Sequence, residues 1–252
     1  MTERDLAAYC YFQQIEPRSP MSAAFERDYL LYAVRGALRL NVDGASWLLP
    51  PSFAAWIPAR TPFVVEIGAP ITSCSVLAKH GFCLAFPKTA TVFQMSPLAR
   101  QMIRHCKDWG PDIDHPDEAK GFFLALLNVC GGLVARSVDV KRPFASDPAL
   151  RRAIEVMEER LSEKLTAQGV AQAVNLSERT MQRRFSEDVG LSWSRVLTHL
   201  RMIRAIELLS IDALSIIEIA GDCGFASLSA FNRAFLTFSK MTPSQYRKSL
   251  NA

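Results

Sequence analysis

The sequence predicts an α+β chain in two parts: a small antiparallel β-barrel or sandwich with two trailing helices, then an all-helical domain built on a doubled helix-turn-helix. Three observations predict it. Between Tyr29 and about Ala78, short apolar runs are separated by proline and glycine turn signals. Beyond Ser96 the apolar residues recur at helical spacing behind small polar caps. Finally, Ser177-x3-Met181-x-Arg183-x-Phe185 recurs fifty residues later as Ser227-x3-Phe231-x-Arg233-x-Phe235.

In the strand region, Leu38, Leu40 and Val42 alternate with Arg39 and Asn41. Asp43-Gly44 supplies a type I′ hairpin turn, and Trp47 and Leu49 alternate out of it. Pro50-Pro51, Pro58, Pro62 and Pro70 punctuate the runs Phe53–Ile57, Phe63–Ile67 and Ile71–Leu77. Gly36 suits a bend or a close backbone approach. Two helices follow. Ser96-Pro97 caps the first, with Leu98, Met102, Ile103 and Cys106 on one stripe. The second starts near Pro116, and its stripe includes Ala119, Phe122, Phe123, Leu126, Leu127, Cys130, Leu133 and Val134. Such a stripe serves either its own domain or a dimer. Phe122, Phe123, Leu126, Leu127 and Cys130 are the candidate homodimer interface.

Residues 141–146, Lys-Arg-Pro-Phe-Ala-Ser, read as a linker between domains 1–140 and 147–252. Asp147-Pro148 caps a helix whose core face is Leu150, Ile154, Met157 and Leu161. Thr166 caps a short helix that breaks at Asn175-Leu176, and Ser177 caps the next, the geometry of a helix-turn-helix. The second copy starts at Ser215, where Glu218 completes a capping box, and turns at Gly224-Phe225. One long helix, about Trp193 to Leu209, joins the copies.

Charge and chemistry narrow the function. Residues 1–140 carry 13 Lys+Arg and 13 Asp+Glu, a net of zero, whereas residues 141–252 carry 16 and 12, a net of +4. The whole positive excess lies with the repeat, which favours a polyanionic partner there. No apolar run approaches the roughly 20 residues of a membrane span, and the N-terminus has mixed charge and no apolar core, so a cytoplasmic location is expected. The six cysteines form no Cys-x-x-Cys pair and read as reduced, buried thiols, with a Cys74/Cys83 redox pair as the alternative. The four histidines, His80, His105, His115 and His199, all lie outside the strand run, so no metal and no cofactor is expected in the barrel. No phosphate loop or hydrolase triad appears. Candidate lining groups for a small organic ligand are Tyr32, Trp47, Trp56 and Phe63, with Arg18 as a charge partner; core packing is the competing role for each aromatic.

Over about residues 147–250 the chain resembles the AraC/XylS family of bacterial transcription regulators. The doubled motif carries the resemblance, together with Gly190-Leu191-Ser192, Arg201-x2-Arg204-Ala205-x2-Leu208-Leu209, Ile219-Ala220-x3-Gly224-Phe225 and Thr242-Pro243-Ser244-x-Tyr246-Arg247. The first domain resembles that family's cupin-like effector and dimerisation domain. The resemblance implies that the second helix of each motif enters a major groove of double-stranded DNA. Base-facing positions are then Glu178, Arg179, Gln182 and Arg183 in the first copy, and Leu228, Ser229, Asn232 and Arg233 in the second. Arg184, Lys240 and Thr242 are implied phosphate contacts. The implied protein is a non-enzymatic regulator, an activator recruiting RNA polymerase, dimeric and responsive to a small organic effector. The alternatives are a ligand-independent or partner-controlled regulator, and a cupin-type enzyme fused to a DNA-binding domain. After Phe235 the family's usual basic residues and glycine are replaced by Leu236, Thr237, Phe238, Ser239 and Lys240.

Overall fold

A computed structural model describes residues 6–136, 140–209 and 213–251. The chain forms two compact units, one holding Met1–Val140 and the other Lys141–Lys248. Among the described residues, no helix is long and apolar enough to cross a membrane.

Among the described residues, the first unit has nine strands: β1 Ala8–Ile15, β2 Arg18–Ala23, β3 Arg27–Arg35, β4 Leu38–Val42, β5 Ala45–Leu49, β6 Phe53–Ile57, β7 Phe63–Ile67, β8 Ile71–Lys79 and β9 Thr91–Gln94. Helices α1 (Pro97–His105) and α2 (Ala119–Leu133) follow. One antiparallel sheet runs β1-β8-β3-β6-β9, and a second contains β5-β4-β7-β2. The hairpin between β4 and β5 turns on Asp43 (φ 50°) and Gly44 (φ 72°), with Val42 facing Ala45. Positive φ at both central residues is what a type I′ turn requires. Gly36 has φ 73°, and a Cβ there would lie 2.6 Å from the Pro70 carbonyl oxygen.

Two cores lie on opposite faces of the first sheet. Leu31, Ala33, Ala55 and Ile57 meet Leu38, Leu40, Phe63 and Val65 between the sheets. Leu30, Tyr32, Trp56, Val76 and Phe93 meet Ile103, Phe123, Leu126 and Leu127 beneath the helices. Burial on both faces explains why β6 is apolar throughout instead of alternating. Ser96 caps α1 by accepting from the Ala99 amide at 3.2 Å. All six cysteines are free and buried. Burial pushes the thiols of Cys106, Cys130 and Cys223 up to about 12, which keeps them protonated and unreactive at neutral pH. Cys74 lies 3.6 Å from Cys10, sulfur to sulfur, so its neighbour is not the Cys83 that the sequence suggested.

The α2 stripe proposed for dimerisation is corrected here. Phe123, Leu126, Leu127 and Cys130 are wholly buried in the monomer's own core, and Phe122 packs on His105 and Trp109. A side chain already removed from water has no area left to bury against a partner. Phe123→Ala is therefore expected to destabilise the first unit by about 3–5 kcal/mol through lost burial and a residual cavity. Thermal unfolding measures that loss, and sedimentation is expected to return an unchanged association state.

The second unit is helical: α3 Pro148–Glu159, α4 Ala167–Ala173, α5 Glu178–Arg184, α6 Trp193–Leu209, α7 Ile216–Asp222, α8 Leu228–Ser239 and α9 Pro243–Asn251. Leu150, Ile154, Met157, Val170, Met181, Phe185 and Val196 make its first core. Phe225, Phe231, Phe235 and Tyr246 form a chain of ring contacts in the second, with centroids 5.4–5.9 Å apart. The long α6 serves both: its start packs in the first core, and it also contacts α7 and α8. Met202, Ala205 and Ile206 are buried for that reason.

Candidate nucleic-acid interface

Each motif is set by its caps and its turn. In the first, Thr166 accepts from the Gly169 amide at 3.1 Å and Ser177 from the Thr180 amide at 3.1 Å. In the second, Ser215 and Glu218 form a reciprocal capping box, and Ser227 accepts from Ala230 at 3.2 Å. Such caps satisfy the otherwise orphaned first-turn amides and fix where each helix starts. The turns close alike: the Leu176 amide donates to the Ala171 carbonyl at 2.9 Å, and Phe225 donates to Ala220 at 2.9 Å. Asn175 (φ 56°) and Gly224 (φ 72°) take the left-handed position.

The two copies nevertheless differ in register. Thr166 and Ser215, Ala171 and Ala220, and Asn175 and Gly224 are all separated by 49 residues, yet Ser177 and Ser227 are separated by 50. Ala226 is the added residue, between Phe225 and the cap of α8.

The caps place Met181 and Phe185, and Phe231 and Phe235, on the buried sides of their helices. The opposite sides carry every base-reading candidate. Glu178, Arg179, Gln182 and Arg183 are exposed on α5, and Leu228, Ser229, Asn232 and Arg233 are exposed on α8. On α5, Gln182 Nε2 donates to Glu178 Oε1 at 2.9 Å, and Arg183 Nη1 reaches both carboxylate oxygens of Glu187 at 3.1 Å. These i,i+4 pairs hold the polar ends in position over the helix. Among the described residues, no side-chain hydrogen bond or ion pair braces Asn232 or Arg233 in this way.

The three phosphate candidates each have a local role as well. Arg184 Nη1 pairs with Asp147 Oδ2 at 2.8 Å, at the cap of α3. The Ala149 amide and then Arg184 hold the Asp147 carboxyl below its usual range. Lys240 ends α8 in the left-handed conformation, with its Nζ donating to the Thr237 carbonyl at 3.1 Å. Thr242 accepts from the Gln245 amide at 3.2 Å and starts α9.

Arg201 was legible only as part of a family signature. It is half-buried on α6, donates to the Glu163 carbonyl at 3.0 Å, and lies 5.5 Å over the Phe225 ring. Burial lowers its pKa from the ordinary arginine value. It joins the loop after α3 to the turn of the second motif, and so ties the two motifs together. Glu187 was missed too, although its i,i+4 spacing from Arg183 is a readable signal.

The proposed ligand-lining set does not converge. Tyr32 and Trp56 lie in the helix-facing core, where Tyr32 donates to the Pro51 carbonyl at 3.0 Å and Trp56 stacks on Phe86 with centroids 3.9 Å apart. Trp47 and Phe63 lie in the other core, and Arg18 is exposed on strand β2. Tyr32 and Trp56 stand on the helix-facing side of the first sheet, whereas Trp47 and Phe63 stand on strands of the second, which is why one set of aromatics divides between two cores. A cavity of about 320 Å³ opens elsewhere in this unit, among Leu6, Lys79, His115 and Lys120.

Residues 170–249 match the family described as a helix-turn-helix domain. The HTH-type transcriptional regulator NimR of Escherichia coli is 22% identical over 239 residues, which cover 95% of this chain and 86% of NimR. GbdR of Pseudomonas aeruginosa is 34% identical over 103 residues, 41% of this chain, and the chain spans only 28% of its length. A crystal structure of an AraC-type DNA-binding regulator from Chromobacterium violaceum is 32% identical and covers 40% of this chain and 90% of its own, with a TM-score of 0.39. The paired motifs and the family match give the chain an AraC-type helix-turn-helix DNA-binding domain over residues 170–249, the domain of a transcriptional regulator.

Proposed function

We propose that this regulator reads two successive major-groove faces of promoter DNA, with α5 dominant and α8 subordinate. The carrying observation is that all eight base-reading candidates are exposed while the residues between them pack inward. Arg179 and Arg183 suit bidentate pairing with guanine, Gln182 and Asn232 suit adenine, and Leu228 suits a thymine methyl. Arg184, Lys240 and Thr242 lie at helix ends, where they position the protein on phosphates without specifying sequence. We further propose a homodimer that activates transcription through RNA polymerase, with a small organic effector bound by the first unit.

Nuclease protection of a selected promoter duplex tests this reading. Two protected blocks are expected, centred about one helical turn, roughly 34 Å, apart on one face of the DNA. A single block would remove α8 from the reading. Repeating the protection with a cell metabolite extract is expected to change its strength; unchanged protection counts against effector control.

A further inference from the structure

Among the described residues, the β1 edge of the first sheet is open, and its residues match a second copy of themselves. Strand β1 is the outer strand of its sheet, paired only with β8. Its odd residues face β8: the Ala7 carbonyl accepts from Lys79 at 2.8 Å. Its even residues therefore turn their backbone groups outward. Cys10 already donates outward, to the Trp109 carbonyl at 2.7 Å. Beyond it, among the described residues, the outward groups of Phe12 and Gln14 have no backbone partner. Tyr11 and Phe12 are 42% and 49% exposed, and Gln13 and Gln14 are exposed beside them.

Open edges invite pairing, and proteins usually blunt them with charge, proline or a bulge. This molecule does so on β2, the outer strand of the other sheet, which carries Arg18, Pro20 and a register irregularity between Arg18 and Met21. The far edge of the first sheet, β9, is packed by the turn Val134–Arg136. By contrast, Ala8–Ile15 has no charge, no proline and no bulge.

We propose that β1 pairs antiparallel with β1 of a second copy about a two-fold axis through Gln13. This rests on the dimeric reading above and places its interface. In that register Phe12 faces Gln14 of the second copy, and Gln14 faces Phe12 of the second copy. The four outward backbone groups of each strand are then satisfied without disturbing the Cys10 amide. Tyr11 meets Ile15, and Glu16 meets neutral Cys10, so no like charges stand opposite. The arrangement is isologous and closed, and the two sheets become one across the axis.

Full-length protein tests the proposal by sedimentation and cross-linking. Gln13 lies at a non-hydrogen-bonded pair across the axis, where Cα atoms are about 4.5 Å apart, within disulfide reach. Mild oxidation of Gln13→Cys, with two thiols giving up two protons and two electrons to the added oxidant, is expected to trap a covalent dimer. Gln14→Pro removes only an outward N–H, and Gln13→Lys sets two cations opposite each other. Each is expected to raise the dimer dissociation constant roughly tenfold or more while thermal unfolding of the protein diluted to monomer stays unchanged. A monomeric wild-type chain would overturn the dimeric reading itself. A dimeric wild type whose Gln13→Cys is not trapped, or whose Gln13→Lys still dimerises normally, would overturn only this placement.

Discussion

Gly224→Ala is expected to unfold the second helix-turn-helix, because its turn has neither the backbone freedom nor the space for a side chain. Gly224 holds φ 72°, and an added Cβ would sit 2.1 Å from the Leu161 carbonyl oxygen and 2.5 Å from Arg201 Nη2. A left-handed alanine costs about 1–2 kcal/mol. Displacing backbone and a bonded guanidinium adds an overpacking cost of about 1–3 kcal/mol. The combined loss of about 2–5 kcal/mol is a large fraction of the roughly 5–15 kcal/mol that holds a domain together. Equivalent Asn175 is exposed at φ 56° and already carries a Cβ, so Asn175→Ala loses only the asparagine side chain's local preference for that conformation and should cost clearly less than Gly224→Ala. Urea unfolding of both variants measures the difference. Equal losses would mean that the Leu161 and Arg201 contacts move aside at little cost.

Arg183→Ala is expected to abolish promoter binding at physiological salt, and Arg233→Ala only to weaken it. A good bidentate arginine–guanine contact carries about 1–3 kcal/mol of discrimination. Arg183 meets the DNA already braced by Glu187, beside a Gln182 braced by Glu178. A braced side chain loses less rotamer freedom on binding, so more of its contact survives as affinity. Arg233 stands on a helix whose other outward residues are Leu228, Ser229 and Asn232, followed by Leu236 and a Lys240 turned back onto Thr237. Titrations of both variants at one fixed salt concentration decide the matter, since phosphate contacts alone vary steeply with salt. Equal losses for the two would refute unequal reading.

Local chemistry made much of this fold readable. Caps at Ser96, Asp147, Thr166, Ser177, Ser215 and Ser227 name their own helix starts, because a first-turn amide needs an acceptor wherever it lies. The Asp43-Gly44 turn and the inward pairs Met181/Phe185 and Phe231/Phe235 follow from φ preference and helical period. The exposed faces of α5 and α8 follow in turn, since what is not on the apolar side of a helix must be on the other.

What the chain order could not carry was which surfaces meet. An apolar stripe such as Phe123, Leu126, Leu127 and Cys130 states that it needs covering and not by what; the first sheet turned out to cover it. Tyr32, Trp47, Trp56 and Phe63 read as one aromatic set until the pairing of their strands into two sheets divided them between two cores. The reach of Arg201 to Glu163 and Phe225 depends on elements far apart in sequence. Composition, capping and periodicity act within a few residues of one another, and so the sequence by itself determined the elements and their reading faces. Burial and long-range contact exist only once distant elements close on each other, and so the tertiary structure alone decided the division of the cores, the tie between the motifs and the strand edge left open.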